Sequence, residues 1–267
     1  MIRFVSLTIL FFLCGSHGAS AQENALQKKE QELIRIYQKI SDFYHGDSDS
    51  LVYYSNLFSS ELHTVVARYG GTLEYPFKAL IDERACYVKT SKDGLFRIYS
   101  WDSQLGGTMR FFNVLYQYKI GTSTKTEFIQ LEEGDPAWFC SDIFSLKTKK
   151  TTYYLAITNS IYSSKDINQS IKAFQFSGKG LNDSIVLMKT DSGLENSLSL
   201  SYDFFSVVDR PERPVAVIRY DSKKKIISVS ETNDKDEIIP GYKQYVFDGN
   251  YFVPQVSKTK KKRQNTH

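Results

Sequence analysis

Histidine is scarce in this chain. Four occur in 267 residues, and only His45 and His63 fall away from the ends. No His-Glu-x-x-His pattern joins them. A zinc enzyme needs clustered ligands and a histidine triad needs a base beside its nucleophile, so both chemistries are set aside. A Gly-x-Ser-x-Gly elbow, a phosphate-binding Gly-x-x-x-x-Gly-Lys loop and a dinucleotide fingerprint are also missing. No metal and no cofactor is expected. Long apolar runs are absent too. No stretch reaches 18 residues, so no transmembrane segment is expected in the mature chain.

The sequence is rich in aromatic residues, with 18 Tyr and 18 Phe, against 24% charged residues and 41% apolar ones. That balance suits a folded globular protein and excludes collagen-like, coiled-coil and wholly disordered chains. The formal charge of +4 is unevenly placed. Arg3 stands at the start, and Lys258, Lys260, Lys261, Lys262 and Arg263 stand in the last eleven residues. Between 22 and 256 there remain 28 bases against 30 acids. The basic character therefore belongs to a tail, 257–267, expected to be disordered, with contact to an anionic surface as the sharper reading. Nucleic-acid recognition normally needs a basic face on the folded body, and none is visible in the sequence.

Residues 1–21 read as a secretory signal peptide: Arg3, an apolar stretch over 4–13, and the small-residue site Ala19-Ser20-Ala21, with cleavage after Ala21. The alternatives are a buried N-terminal helix and a lipid anchor on Cys14, which the bulky Leu13 before it disfavours. Export, to the periplasm or outside the cell, is the expectation. It would place Cys86 and Cys140 in an oxidising compartment, where they form a disulfide candidate; two buried free thiols are the alternative.

The expected fold class is α+β, with an N-terminal helical hairpin over 22–71 packed on a large, mostly antiparallel β-rich body over 72–256. Leu26, Leu33, Tyr37, Ile40 and Tyr44 form one apolar stripe at helical spacing. Lys28, Lys29, Glu30, Glu32 and Arg35 take the other side. A turn at 46–50 supplies an N-cap for a second helix over 50–69, intact or broken near Ser59-Ser60 and ended by Gly70-Gly71. The period then changes to two. Asp93-Gly94 and Asp248-Gly249 mark hairpins, because tight hairpin turns need positive φ. A third hairpin joins 214–220 to 225–230. Further strands are expected at 108–120, 125–131, 151–159, 170–176, 183–189 and 197–205.

Two groups of residues are candidates for chemistry. Asp102, Glu132, Glu133 and Asp135 could supply paired carboxylates for glycan hydrolysis if two of them converge. Arg97, Tyr99, Trp101 and Asp102 lie on a strand on which Arg97, Tyr99 and Trp101 share a face. They form either a structural arginine cluster or a platform on which a sugar or aromatic ring stacks; Gly106-Gly107 marks a β-turn or bulge in the first case and allows close approach of a ligand in the second.

The run SKDGLFRIYSWDSQLGGTMRFFNVLYQYK, the later YYLAITNS and the closing YKQYVFDGNYFVP resemble uncharacterised exported proteins of Bacteroidota-type bacteria. The resemblance implies export and transfers no chemistry. The leading expectation is an exported, non-enzymatic β-rich protein with a binding or structural role in the cell envelope, its partner a glycan or an envelope protein. A secreted glycan hydrolase using Asp102, Glu132 or Asp135 is the alternative.

Overall fold

The computed structural model describes residues 14–44, 46–132 and 134–255. The first helix, α1 (Cys14–Phe43), runs against α2 (Ser48–Arg68). Leu26, Leu33 and Ile40 are buried along α1, seven residues apart, as the stripe requires. Asp47 caps α2 by accepting from Asp49 N at 3.2 Å. No break occurs at Ser59-Ser60, because Phe58 and Leu62 on either side bury into one core. Glu30 departs from its expected polar side. It is 3% exposed, accepting from the Tyr75 hydroxyl at 2.7 Å and from Leu80 N at 3.0 Å. Those bonds tie α1 to the short helix α3 (Lys78–Asp82), which the sequence pattern did not announce.

Fifteen strands build three sheets among the described residues. The first sheet holds β1 (Tyr87–Thr90), β2 (Phe96–Asp102), β3 (Phe112–Ile120) and β4 (Ser123–Phe128) in chain order. The second holds β5 (Phe139–Lys147), β6 (Thr152–Ile161), β7 (Asp166–Ser177), the short β8 (Gly180–Asn182) and β11 (Ser197–Asp203). It runs in the order β11-β7-β6-β5, with β8 paired to β7. The third holds β9 (Met188–Lys189), β10 (Leu194–Glu195), β12 (Ile218–Asp221), β13 (Ile226–Thr232), β14 (Ile238–Phe247) and β15 (Phe252–Pro254). Every pairing is antiparallel except β15 with β9. The chain is thus an α+β protein with a helical hairpin on an antiparallel body.

The layers stack helices, first sheet, second sheet, third sheet, with three apolar cores between them. Strands in the middle layers bury both faces. On β2, Tyr99 and Trp101 join the core under the helices while Phe96 and Ile98 join the core against the second sheet. On β6, Tyr154 and Ala156 face the first sheet while Leu155 and Ile157 face the third. Polar bonds cross the layers as well. Asp93, in the β1–β2 turn, accepts from Ser145 at 3.2 Å and Tyr154 at 3.1 Å on the second sheet. Ser100 Oγ accepts from Cys140 N at 2.9 Å.

Cys86 and Cys140 are free, buried thiols, the alternative that stood beside the disulfide candidate. Cys86 packs in the core under the helices, and Cys140 in the core between the first two sheets. Burial pushes both thiols well above their ordinary value. Residues 1–13 of the expected signal peptide, 1–21, and the whole of the basic tail, 257–267, lie outside the described residues; α1 runs through the expected cleavage point at Ala21. None of the described helices is long and apolar enough to cross a membrane.

Candidate functional site

A cleft of about 930 Å³ opens where all four layers reach one end of the stack. The helical layer contributes Tyr44. The first sheet contributes Arg84 and Tyr87 at the start of β1, with Gly107, Thr108 and Arg110 from the β2–β3 loop. The second sheet supplies a floor of Phe139, Asn159 and Tyr202, all buried, and a wall of Ile161 and Ile167. Arg213, Pro214 and Val215, on the approach to β12, close the far side.

Each arginine is placed by backbone as much as by side chain. Arg110 N donates to Ile161 O at 3.0 Å, which pins the β2–β3 loop to the second sheet. Its Nη1 donates to Asp102 at 3.4 Å, to Gln104 Oε1 at 3.3 Å and to Tyr44 Oη at 3.5 Å. Arg84 is exposed and adopts φ of +55°, and its carbonyl accepts from the Tyr37 hydroxyl at 3.5 Å. Arg213 lies over the Phe204 ring, 5.2 Å from its centroid. Its guanidinium donates to Val208 O at 2.7 Å and Glu212 O at 2.8 Å, and to Arg210 O.

The one amide of the floor, Asn159, has its bonds satisfied. Asn159 Nδ2 donates to Ser141 Oγ at 3.0 Å, and its Oδ1 accepts from Gln169 Nε2 at 2.7 Å. Gln169 also donates to Val215 O at 3.0 Å and accepts from Val217 N at 3.0 Å and Ile218 N at 2.7 Å. This network fixes the Val215 wall against β7. Tyr87, 37% exposed, stacks on Phe139 with ring centroids 4.3 Å apart.

The residues lining the cleft include three arginines and no Asp or Glu. Acids stand behind the lining: Asp166 accepts from the lining residue Ser163 at 2.7 Å, and Asp102 engages Arg110 at 3.4 Å. Burial raises the Asp102 carboxyl above the ordinary value, while the Gln104 N–H, at 2.8 Å, and Arg110 pull it back.

The residues singled out from the sequence fall in several places. Arg97, Tyr99 and Trp101 form no platform. Trp101 is 1% exposed and Tyr99 fully covered, so neither ring offers a face to a ligand. Arg97 donates to Thr90 Oγ1 at 2.6 Å and to the carbonyls of Thr72 at 2.6 Å and Tyr75 at 2.5 Å, the structural cluster that was the other expectation. Glu132 and Asp135 line a separate, smaller hollow of about 230 Å³, and Asp135 accepts from Ala137 N at 2.8 Å as a turn residue. Asp102 is not part of that hollow, and Glu133 lies outside the described residues. No group of three His, Cys, Asp or Glu able to hold a metal occurs among the described residues. Arg84 and Arg213 carried no sequence signal: 129 positions separate them, and only the stacking of layers brings them to one cleft.

Fold and site together define an α+β protein of stacked antiparallel sheets with an arginine- and aromatic-lined cleft. No protein-family model matches the chain, and no curated protein or solved structure shows significant similarity to it.

Proposed function

We propose that this chain is an exported, non-enzymatic protein with a binding role in the cell envelope, and that the arginine-lined cleft is where it binds. The observation that carries the reading is the sign of the charge. The cleft is lined by three arginines and no acid, in a body, 22–256, that has more acids than bases. A volume of about 930 Å³ lies within the range of small-molecule sites, and such sites pair an apolar lining with a few placed polar groups. Export is supported by Arg3, the apolar stretch and Ala19-Ser20-Ala21.

The hydrolase alternative needs two carboxyls converging on one substrate. Asp102 engages Arg110, while Glu132 and Asp135 line another hollow, so that reading gains no geometric support.

The test is expression of the full chain in a Gram-negative host, followed by fractionation and N-terminal sequencing. The expected product is outside the cytoplasm and begins at Gln22. Native mass spectrometry of that product should show a bound small molecule. It should be lost in Gly107→Trp, which adds an indole to a cleft-lining glycine with open space beside it. An unprocessed cytoplasmic chain would contradict export. A ligand-free protein, or one whose ligand survives Gly107→Trp, would contradict binding in the cleft.

A further inference from the structure

We infer that the cleft takes an amphipathic organic acid, an anionic carboxylate or phosphate head on an apolar body. The inference rests on the binding role proposed above and names the ligand class. Its basis is the arrangement of charge over apolar surface. Among the described residues Arg84 and Arg213 have no ion-pair partner, and Arg110 has one, Asp102 at 3.4 Å. The three Arg110 contacts, at 3.3–3.5 Å, are all longer than the 2.7–2.9 Å of a strong charge-assisted bond. An incoming anion can therefore replace weak contacts by stronger ones. Arg213 is held by three carbonyls and the Phe204 ring, so its charge is fixed in place before any ligand arrives.

Beside these cations the accessible surface is largely apolar, supplied by half-buried Ile161, Ile167, Phe204 and Pro214 and by exposed Tyr87, over a buried floor that includes Phe139. The one amide in that floor, Asn159, already has its partners in Ser141 and Gln169, so it makes no demand on a ligand. A small inorganic anion would leave the apolar floor uncovered. A neutral apolar molecule would leave the Arg84 and Arg213 guanidiniums without a counter-charge. A polyanion such as nucleic acid would need basic surface beyond the cleft, and residues 22–256 are net acidic.

The test is calorimetric titration of the mature protein with sodium decanoate, decyl phosphate and decanol, at about 50 and about 300 mM salt. Both acids should bind, each at least about tenfold more tightly than decanol, and salt should weaken the acids alone. The tighter of the two heads identifies the source of the anion. Arg84→Glu, at an exposed position, should weaken acid binding at least about tenfold without changing decanol, and Arg84→Gln should fall between. Lys125→Gln, on exposed β4, should change nothing. Equal binding of decanol and the acids, no binding by either acid, or indifference to Arg84→Glu overturns the inference. If decanol and acids bind equally and Gly107→Trp abolishes both, the ligand class is wrong and the cleft is still the site. If binding survives Gly107→Trp, the cleft reading itself fails.

Discussion

Two buried side-chain polar atoms among the described residues have no hydrogen-bond partner: Trp101 Nε1 and the Tyr116 hydroxyl. Each carries the cost of losing water without gaining a bond, and burial pushes the Tyr116 phenol well above its ordinary value. Tyr116→Phe removes the orphaned oxygen and keeps the ring, so stability is expected to rise by up to about 1 kcal/mol in urea unfolding. Asp93 is the opposite case. Burial alone would raise its carboxyl. Bonds from Ser91, Leu95 N, Tyr154 and Ser145 outweigh burial and hold it below the ordinary 3.8. The folded state therefore prefers the carboxylate. Its stabilising contribution is complete above the unfolded value and is lost as pH falls through the lower folded one. Asp93→Asn should cost about 1–2 kcal/mol at pH 7. The mutant should also lose less stability than the parent on going below about pH 4, as read by urea unfolding across pH.

Elements were legible where their periodicity was unbroken. The α1 stripe, α2 and the three Gly- or Lys-centred hairpins follow local rules: Gly94 and Gly249 have φ of +70° and +110°, and Lys225 turns at +55°. Strand β5 went unseen in the sequence because a bulge between Cys140 and Asp142 interrupts its alternation. Glu30 was assigned to the wrong side of α1 because its partners, Tyr75 and Leu80, lie 45 and 50 residues away. The β2–β3 loop supplies a sharper test. A Cβ on Gly106 would meet Met109 O at 2.1 Å and Phe111 Cδ2 at 3.0 Å, whereas Gly107 has open space. Gly106 thus serves the loop's own folding, not the approach of a ligand. Gly106→Ala must displace the segment that carries Arg110, so decanoate binding is expected to fall at least about tenfold. Gly107→Ala should leave it unchanged.

At the scale of the molecule, the four-layer stack explains why the arginine-aromatic stretch is a structural cluster in the core and not a platform. Phe96, Ile98, Tyr99 and Trp101 belong to a strand covered on both faces, by helices and by a second sheet. Sequence periodicity shows that both faces are apolar; it does not show what covers them. Trp101→Ala, which opens a cavity beside Phe58 and Phe128, should therefore cost about 3–5 kcal/mol in unfolding free energy. The cleft has the same origin. Tyr44, Arg84, Arg110 and Arg213 come from four separate segments, and no local motif records their meeting.

The central claim is that this cleft is the binding site. Amide NMR of the mature chain, titrated with sodium decanoate, tests it most directly. The account predicts shifts concentrated at Arg84, Tyr87, Thr108, Arg110, Ser163 and Val215. Shifts clustered elsewhere, for instance on the hydroxyl-lined face around Ser170 and Ser199, or no shifts at all, would contradict it.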